Sequence, residues 1–191
     1  MSQTYSADGP PTSRTRFLLL GIWAVFTAIA VGFVFTFGAN APYADEWEFV
    51  PALLGEEPAG PWLWQQHNEH RMLLSRIIWY PLFQITHDFR SGMLLQIAML
   101  SALTLGLMRL AARLRGRPAW SDVFFPVSLL HLGHWENFIM GYQICFVMFA
   151  LLVTGIVVVA LNATRETAFS SGVRAGVLAL LVALTGGSGL V

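Results

Sequence analysis

Lysine is missing from this chain: all 11 of its basic residues are arginine, the usage expected from a GC-rich bacterial genome. Cysteine is nearly missing. Cys145 stands alone inside an apolar run, which excludes an intramolecular disulfide and reads as a small buried apolar side chain. Charge of either sign is scarce, at 12% of 191 residues against about a quarter in soluble domains. The 11 acids balance the 11 bases, so nothing suggests the basic surface of a nucleic-acid binder. No repeat, low-complexity block or soluble domain is visible. What fills the chain is apolar: 55% of residues are hydrophobic and the mean hydropathy is +0.60. That is the composition of a protein embedded in a lipid bilayer.

Residues 1–16 are polar and rich in Pro, Gly and Ser, which reads as a disordered cytoplasmic tail. Residues 17–39 then run without a charge, and about 20 helical residues suffice to cross a bilayer. The small residues "ANA" at 39–41 resemble a signal-peptide cleavage site, but the apolar run exceeds a signal core of roughly 7 to 15 residues. It reads as a retained helix. A polar, Pro-broken stretch follows to about residue 70. Residues 71–86 alternate as an amphipathic helix, with Arg71 and Arg76 on one side and Met72, Leu73, Ile77 and Ile78 on the other. This predicts a helix lying in the membrane interface, with Trp79 and Tyr80 at headgroup depth. Further spans are expected at 92–112, 121–134 and 143–161, with a last one beginning near 174. The fold class is therefore all-α, a polytopic transmembrane bundle of about five spans, with one transmembrane domain over 17–191. The sequon at Asn162 falls on the cytoplasmic side in this topology and reads as a helix cap rather than a glycosylation site.

Arginine distribution orients the bundle. A cytoplasmic N-terminus puts Arg14, Arg16, Arg109, Arg113, Arg115, Arg117, Arg165 and Arg174 inside, and leaves Arg71, Arg76 and Arg90 outside. Most acids and all histidines then lie at the outer face, as expected for a multi-pass protein of the bacterial inner membrane.

Three polar clusters fall on that outer face. In "PYADEWEFVP" (42–51), Asp45 and Glu46 follow the first span closely enough for their height above the lipid to be fixed. A carboxylate there can take a proton from an incoming hydroxyl, or hold a divalent cation (Mg or Mn) against a phosphate. Glu48 reads as an ordinary solvated acid. In "HNEHRMLLSR" (67–76), His67, His70 and Arg71 share a face at helical spacing, beside Glu69. Arg71 and Arg76 suit a lipid phosphate, since guanidinium binds an oxyanion bidentately. In "HLGHWENFIMGYQ" (131–143), Glu136, Asn137 and Gln143 are bracketed by apolar helices, where polar groups are costly. Trp135 and Tyr142 read as interfacial belt residues. The expectation is one outward-facing cavity lined by all three clusters. The bland alternative is a set of solvated external loops.

The order of span, acidic outer loop, interfacial helix, second span ending in "LMRLAARLRGRP" and a third span with a polar outer end resembles the GT-C glycosyltransferases. "NEHRMLLSRIIWYPLFQITHDFRSGMLLQIAMLSALTLGLMRLAARL" carries most of the likeness, which covers roughly residues 15–191. The "KPP"-type stretch of several members is replaced here by "QQHNEHR". The resemblance implies the N-terminal part of an enzyme taking a sugar from a polyprenyl-phosphate carrier at the outer leaflet. It implies Asp45 as base or metal-associated carboxylate, with Glu46 supporting it. Arg71 and Arg76 would hold the carrier phosphate, and His67, Glu69 and His70 would position the donor or metal. Glu136, Asn137 and Gln143 would line the pocket. A non-catalytic transporter or assembly subunit is the rival expectation. It is disfavoured because ionisable groups are absent from the long spans.

Overall fold

The computed structural model describes residues 13–68 and 70–186. Within them the chain is helical apart from one small hairpin. In chain order the elements are α1 (Ser13–Phe37), α2 (Val50–Leu53), α3 (Ala59–Trp64), β1 (Gln66–His67) and β2 (His70–Arg71). They are followed by α4 (Leu73–Thr86), α5 (Arg90–Arg115), α6 (Phe124–Leu130), α7 (Trp135–Phe138), α8 (Ile144–Leu161) and α9 (Ala168–Ala183), with short 3₁₀ turns between several of them. The tail expected over 1–16 is helical from Ser13 onward, and residues 1–12 lie outside the described residues.

Three segments are long and apolar enough to cross a membrane: Ser13–Phe37, Arg90–Arg115 and Gly141–Leu161. They match three of the expected spans. The expected span at 121–134 is not a single helix. A 3₁₀ turn at Trp120–Val123 leads into α6, which ends after seven residues where His131 turns extended, and a further 3₁₀ turn separates it from α7. The break falls at His131, whose ring accepts from Gly133 N at 3.0 Å, and glycine permits that turn because a Cβ at position 133 would overlap the ring. The last helix starts at Ala168 rather than near 174, which puts Arg174 inside it, and its 16 residues are short for a bilayer.

Polar groups fix α1 antiparallel to α5. Trp23 Nε1 donates to the Ser101 carbonyl at 3.0 Å, and the Thr27 and Ser101 hydroxyls meet at 2.8 Å. Without a hydrophobic force between helices in lipid, such bonds and close packing select the pairing. At the other end Asn40 bridges to the start of α5: its amide donates to His87 O at 3.1 Å, and its Oδ1 accepts from Phe89 N at 2.9 Å. Gly116, in the left-handed region at φ +75°, stops α5, and Arg113 and Arg115 complement the helix dipole in its last turn. The segment 120–143 runs back along α5. Asp122 pairs with Arg115 at one end, Gln96 Nε2 donates to Asn137 O further along, and Gly141 packs on Gly92 at the far end.

The amphipathic helix is present as α4 with Ile77 on an exposed apolar face as expected, but its other face is buried in protein rather than turned to water. Ser75, Arg76 and Trp79 face inward, whereas Ile77, Pro81 and Ile85 form an exposed stripe four residues apart. Trp79 is therefore a core residue rather than a headgroup anchor. It stacks in an aromatic core with Phe49, Phe83 and Phe89.

A crossing point holds this core to the long helices. A Cβ at Gly92 would overlap the Trp79 indole nitrogen and sit 3.3 Å from the Gly141 Cα. Gly92→Ala is expected to destabilise the detergent-solubilised protein by roughly 1–3 kcal/mol, as overpacking does. Gly106, on the same helix, has open space around it. Gly106→Ala should therefore stabilise slightly, by about 0.5–1 kcal/mol. Thermal unfolding followed by tryptophan fluorescence checks both. Equal shifts would show that the Gly92 contact does not constrain the fold.

Candidate functional site

The first outer segment turns into a 3₁₀ helix at Ala44–Phe49, entered through Ala44 at φ +49°. Glu46 is its anchor and is fully buried. Its Oε2 accepts from Tyr43 N at 3.0 Å, closing the capping box, and its Oε1 accepts from Tyr142 N at 3.2 Å across 96 residues. Burial pushes the Glu46 carboxyl up from 4.5 to about 7, against the opposing pull of the Tyr43, Tyr142 and Gly141 backbone N–H groups. Glu46 is thus a staple between two distant segments, one residue from the exposed Asp45.

The stretch expected to place His67, His70 and Arg71 on one helix face is instead the β1–β2 hairpin. His67 pairs with His70 and Gln66 with Arg71, and the turn passes through Asn68 at φ +49°. Asn tolerates that left-handed backbone, so the chain turns at Asn68 and a hairpin replaces the helical face. Glu69 lies outside the described residues. The hairpin sets His67 against the 3₁₀ helix, with its side chain only 4% exposed. Its Nδ1 lies 2.6 Å from Glu48 Oε2. A carboxylate only accepts, so Nδ1 carries the proton in this bond. The other ring nitrogen, Nε2, is 3.9 Å from Asp45 Oδ2 and 3.3 Å from the Asn68 amide nitrogen. Beneath it the Tyr142 ring meets His67 at 5.2 Å, edge to face.

Asp45, His67 and Glu48 therefore form one cluster, with both carboxylates about half exposed and the imidazole buried between them. Glu48 is no solvated bystander, and sequence position alone gave no sign of its partner. Tyr142 is a core residue rather than an interfacial belt residue: it is buried, and its hydroxyl donates to Met72 Sδ at 2.7 Å. His70 lies on the other side of Tyr142 and lines a small cavity with Met72, Cys145 and Gly186.

The two arginines part company. Arg71 is exposed, donating through Nη1 to Trp64 O at 2.8 Å with its guanidinium 5.5 Å above the Trp64 ring. Arg76 is 2% exposed, and its Nη1 donates to Trp62 O at 2.6 Å and Gln65 O at 2.5 Å. Its charge faces the Trp62 and Phe49 rings at 4.9 and 5.6 Å. Burial lowers the Arg76 pKa from its ordinary value, opposed by Tyr142 and Glu48. This side chain holds the segment from α3 to β1 in place beneath the cluster.

The third group is not brought to the same place. Glu136 and Asn137 are exposed. Asn137 and Gln143 line a separate cavity with Gln96 and His134, between α5, α7 and α8. Gln96 Oε1 and Gln143 Oε1 are buried there without a hydrogen-bond partner among the described residues.

No family model, curated protein or solved structure matches the chain. The site must be read from its own chemistry.

A divalent cation would need several oxygens converging on one point. Here Asp45 and Glu48 address opposite nitrogens of a single imidazole, and among the described residues no three His, Cys, Asp or Glu side chains are placed to hold a metal ion. This donor set does not fit the cation expected at Asp45. It does fit proton transfer: an exposed carboxylate beside an imidazole that a second carboxylate orients.

Proposed function

We propose that the protein is the N-terminal part of a GT-C-like glycosyltransferase, transferring a sugar from a polyprenyl-phosphate donor at the outer face of the inner membrane. In this reading the chain crosses five times: α1, α5, the broken segment 120–138, α8 and α9. The exposed stripe Ile77, Pro81 and Ile85 rests in lipid. The observation that carries the reading is the Asp45–His67–Glu48 cluster, set a few residues beyond the end of α1. It lies at the opposite end of the α1–α5 pair from Arg16, Arg109, Arg113 and Arg115.

In the reaction an acceptor hydroxyl attacks the anomeric carbon, and its proton passes to Asp45. The bond from that carbon to the carrier phosphate breaks, and its electron pair leaves with the polyprenyl phosphate. His67, held by Glu48, stands 3.9 Å from Asp45 and is a positioning residue for it. Arg71 is the exposed cation for the phosphate, and Arg76 is a positioning residue. His70 borders the site through Tyr142. The test is release of polyprenyl phosphate from a labelled polyprenyl-phosphate sugar by the protein in proteoliposomes, dependent on Asp45.

One observation favours the rival transporter reading. A broken segment lies beside buried, unpartnered amide oxygens of Gln96 and Gln143, the kind of interruption that transporters place at binding sites. Solute uptake by proteoliposomes unaffected by Asp45→Asn would select it.

Orientation is checked by cysteine labelling in a Cys145→Ala background. Cysteines at Ser13, Arg113 and Ala163 should be shielded from an impermeant reagent in intact cells, and those at Gly60 and Glu136 should react. Labelling at Arg113 from outside would overturn the orientation and the outer placement of the site.

A further inference from the structure

The end of the molecule far from the cluster carries a cavity that the proposed reaction does not use. It lies between α1 and α5, has a volume of about 290 Å³, and is floored by Leu19, Leu105, Met108 and Ala112. Arg16 and Arg109 stand at its edge, both exposed. Neither makes a hydrogen bond or ion pair among the described residues, although arginine is the side chain best shaped for a planar or phosphate oxyanion. The one carboxylate in the lining, Asp122, is already spent: Arg115 pairs with it, and Ala119 N donates to it at 3.0 Å. The cavity thus combines an apolar floor, two uncommitted cations and a neutralised acid.

Its surroundings are apolar on the outside as well. Phe17, Leu114, Trp120 and Phe124 expose more than half of their surface around the same end of the bundle. Such residues face lipid in a membrane protein, and the tryptophan suits the level of the headgroups. A ligand here has to offer an anion at headgroup depth and hydrocarbon just below it.

We infer that the Arg16–Arg109 cavity is a binding site for one anionic phospholipid of the leaflet on that side, its phosphate held by the two arginines and an acyl chain laid against Leu19 and Met108. Basic pockets between transmembrane helices on the cytoplasmic side are where such headgroups lodge. The consequence is a lipid that fills the α1–α5 seam a few turns beyond the Thr27–Ser101 bond, and so stiffens the frame carrying the outer cluster.

The experiment uses the full chain in detergent, titrated with phosphatidylglycerol or phosphatidylcholine and read by native mass spectrometry and thermal shift. Phosphatidylglycerol should give a single retained adduct and a raised unfolding temperature, and phosphatidylcholine should give neither. Arg16→Gln combined with Arg109→Gln should weaken retention by roughly 30-fold, from the usual worth of two arginines near a charged bilayer surface. Both side chains are exposed and unpartnered, so the fold should survive. Ala112→Phe, which fills the floor while keeping both charges, should weaken retention as well. Arg113→Gln, at the same end but outside the cavity lining, should leave it unchanged. An equal loss with Arg113→Gln would reduce the effect to diffuse charge attraction. Equal retention of phosphatidylcholine, or an equal thermal shift from inorganic phosphate, would overturn the lipid site.

Discussion

Asp45→Asn is expected to lower sugar transfer by on the order of 100- to 10,000-fold, the usual cost of removing a general base, with expression and membrane insertion unchanged. Asn keeps the shape and one acceptor oxygen but has no charge with which to take the hydroxyl proton. The side chain is half exposed, and among the described residues its polar partner is His67 at 3.9 Å, so the fold has little to lose. Glu48→Gln should give a smaller loss, because it keeps a hydrogen-bonding oxygen beside His67 Nδ1 but weakens the 2.6 Å contact that orients the ring toward Asp45. Glu56, exposed in the same outer region, is the bystander control. Initial rates with a labelled polyprenyl-phosphate sugar distinguish the three. Equal, mild losses at Asp45, Glu48 and Glu56 would mean that the cluster only solvates its loop, and the enzyme reading would fall.

Glu46 should make the fold sensitive to pH in a defined window. Its carboxyl releases its proton at about 7 in the folded protein and near 4.5 when unfolded. Between those values the folded state holds more protons than the unfolded chain, so stability declines as pH rises. The contribution is complete below about 4.5, lost on passing through about 7, and flat above. At roughly 1.4 kcal/mol per pH unit this amounts to about 3 kcal/mol. Glu46→Gln has no proton to release, so its stability should lack that decline. It should be lower by about 1 kcal/mol at acidic pH, because its amide replaces one of the two acceptor oxygens. Thermal unfolding of both proteins from pH 4.5 to 8 gives the comparison, and the difference between the two curves isolates this residue from other titrating groups. Parallel curves would show that Glu46 is ionised throughout and that the buried carboxylate is fully satisfied by its backbone donors.

The long helices were legible because a charge-free run of bilayer length has few other ways to fold. The start of α1 within its arginine-bearing turn, the end of α5 at Gly116, and the C-terminal cap at Asn162, whose amide donates to Val158 O, all follow local rules. The misreadings share a cause. Helical spacing at His67, His70 and Arg71 was outweighed by a turn through Asn68, and the outward polar face of α4 was outweighed by Arg76 finding two carbonyls and two aromatic rings. Glu48 and Tyr142 entered the site through partners 19 and 70 residues away, a separation that no local pattern records. Asp45 could be singled out because its position depends only on the end of α1. Its companions depend on how the rest of the chain returns.

That dependence sets an order of events during synthesis. Glu46 leaves the ribosome early, but its Tyr142 partner lies 96 residues further along. At about 5–20 residues per second, the wait is roughly 5 to 20 s. Through that interval the first outer loop can be fastened to α4 and the hairpin, yet its buried carboxyl is held only locally, by Tyr43 N on Oε2, and Oε1 waits for Tyr142 N. The loop is therefore left ajar while α5 and the broken segment are threaded, and it latches only when residues 141–142 arrive beside Gly92. A nascent chain stalled short of Gly141 should keep this loop open to protease, and one released beyond it should not.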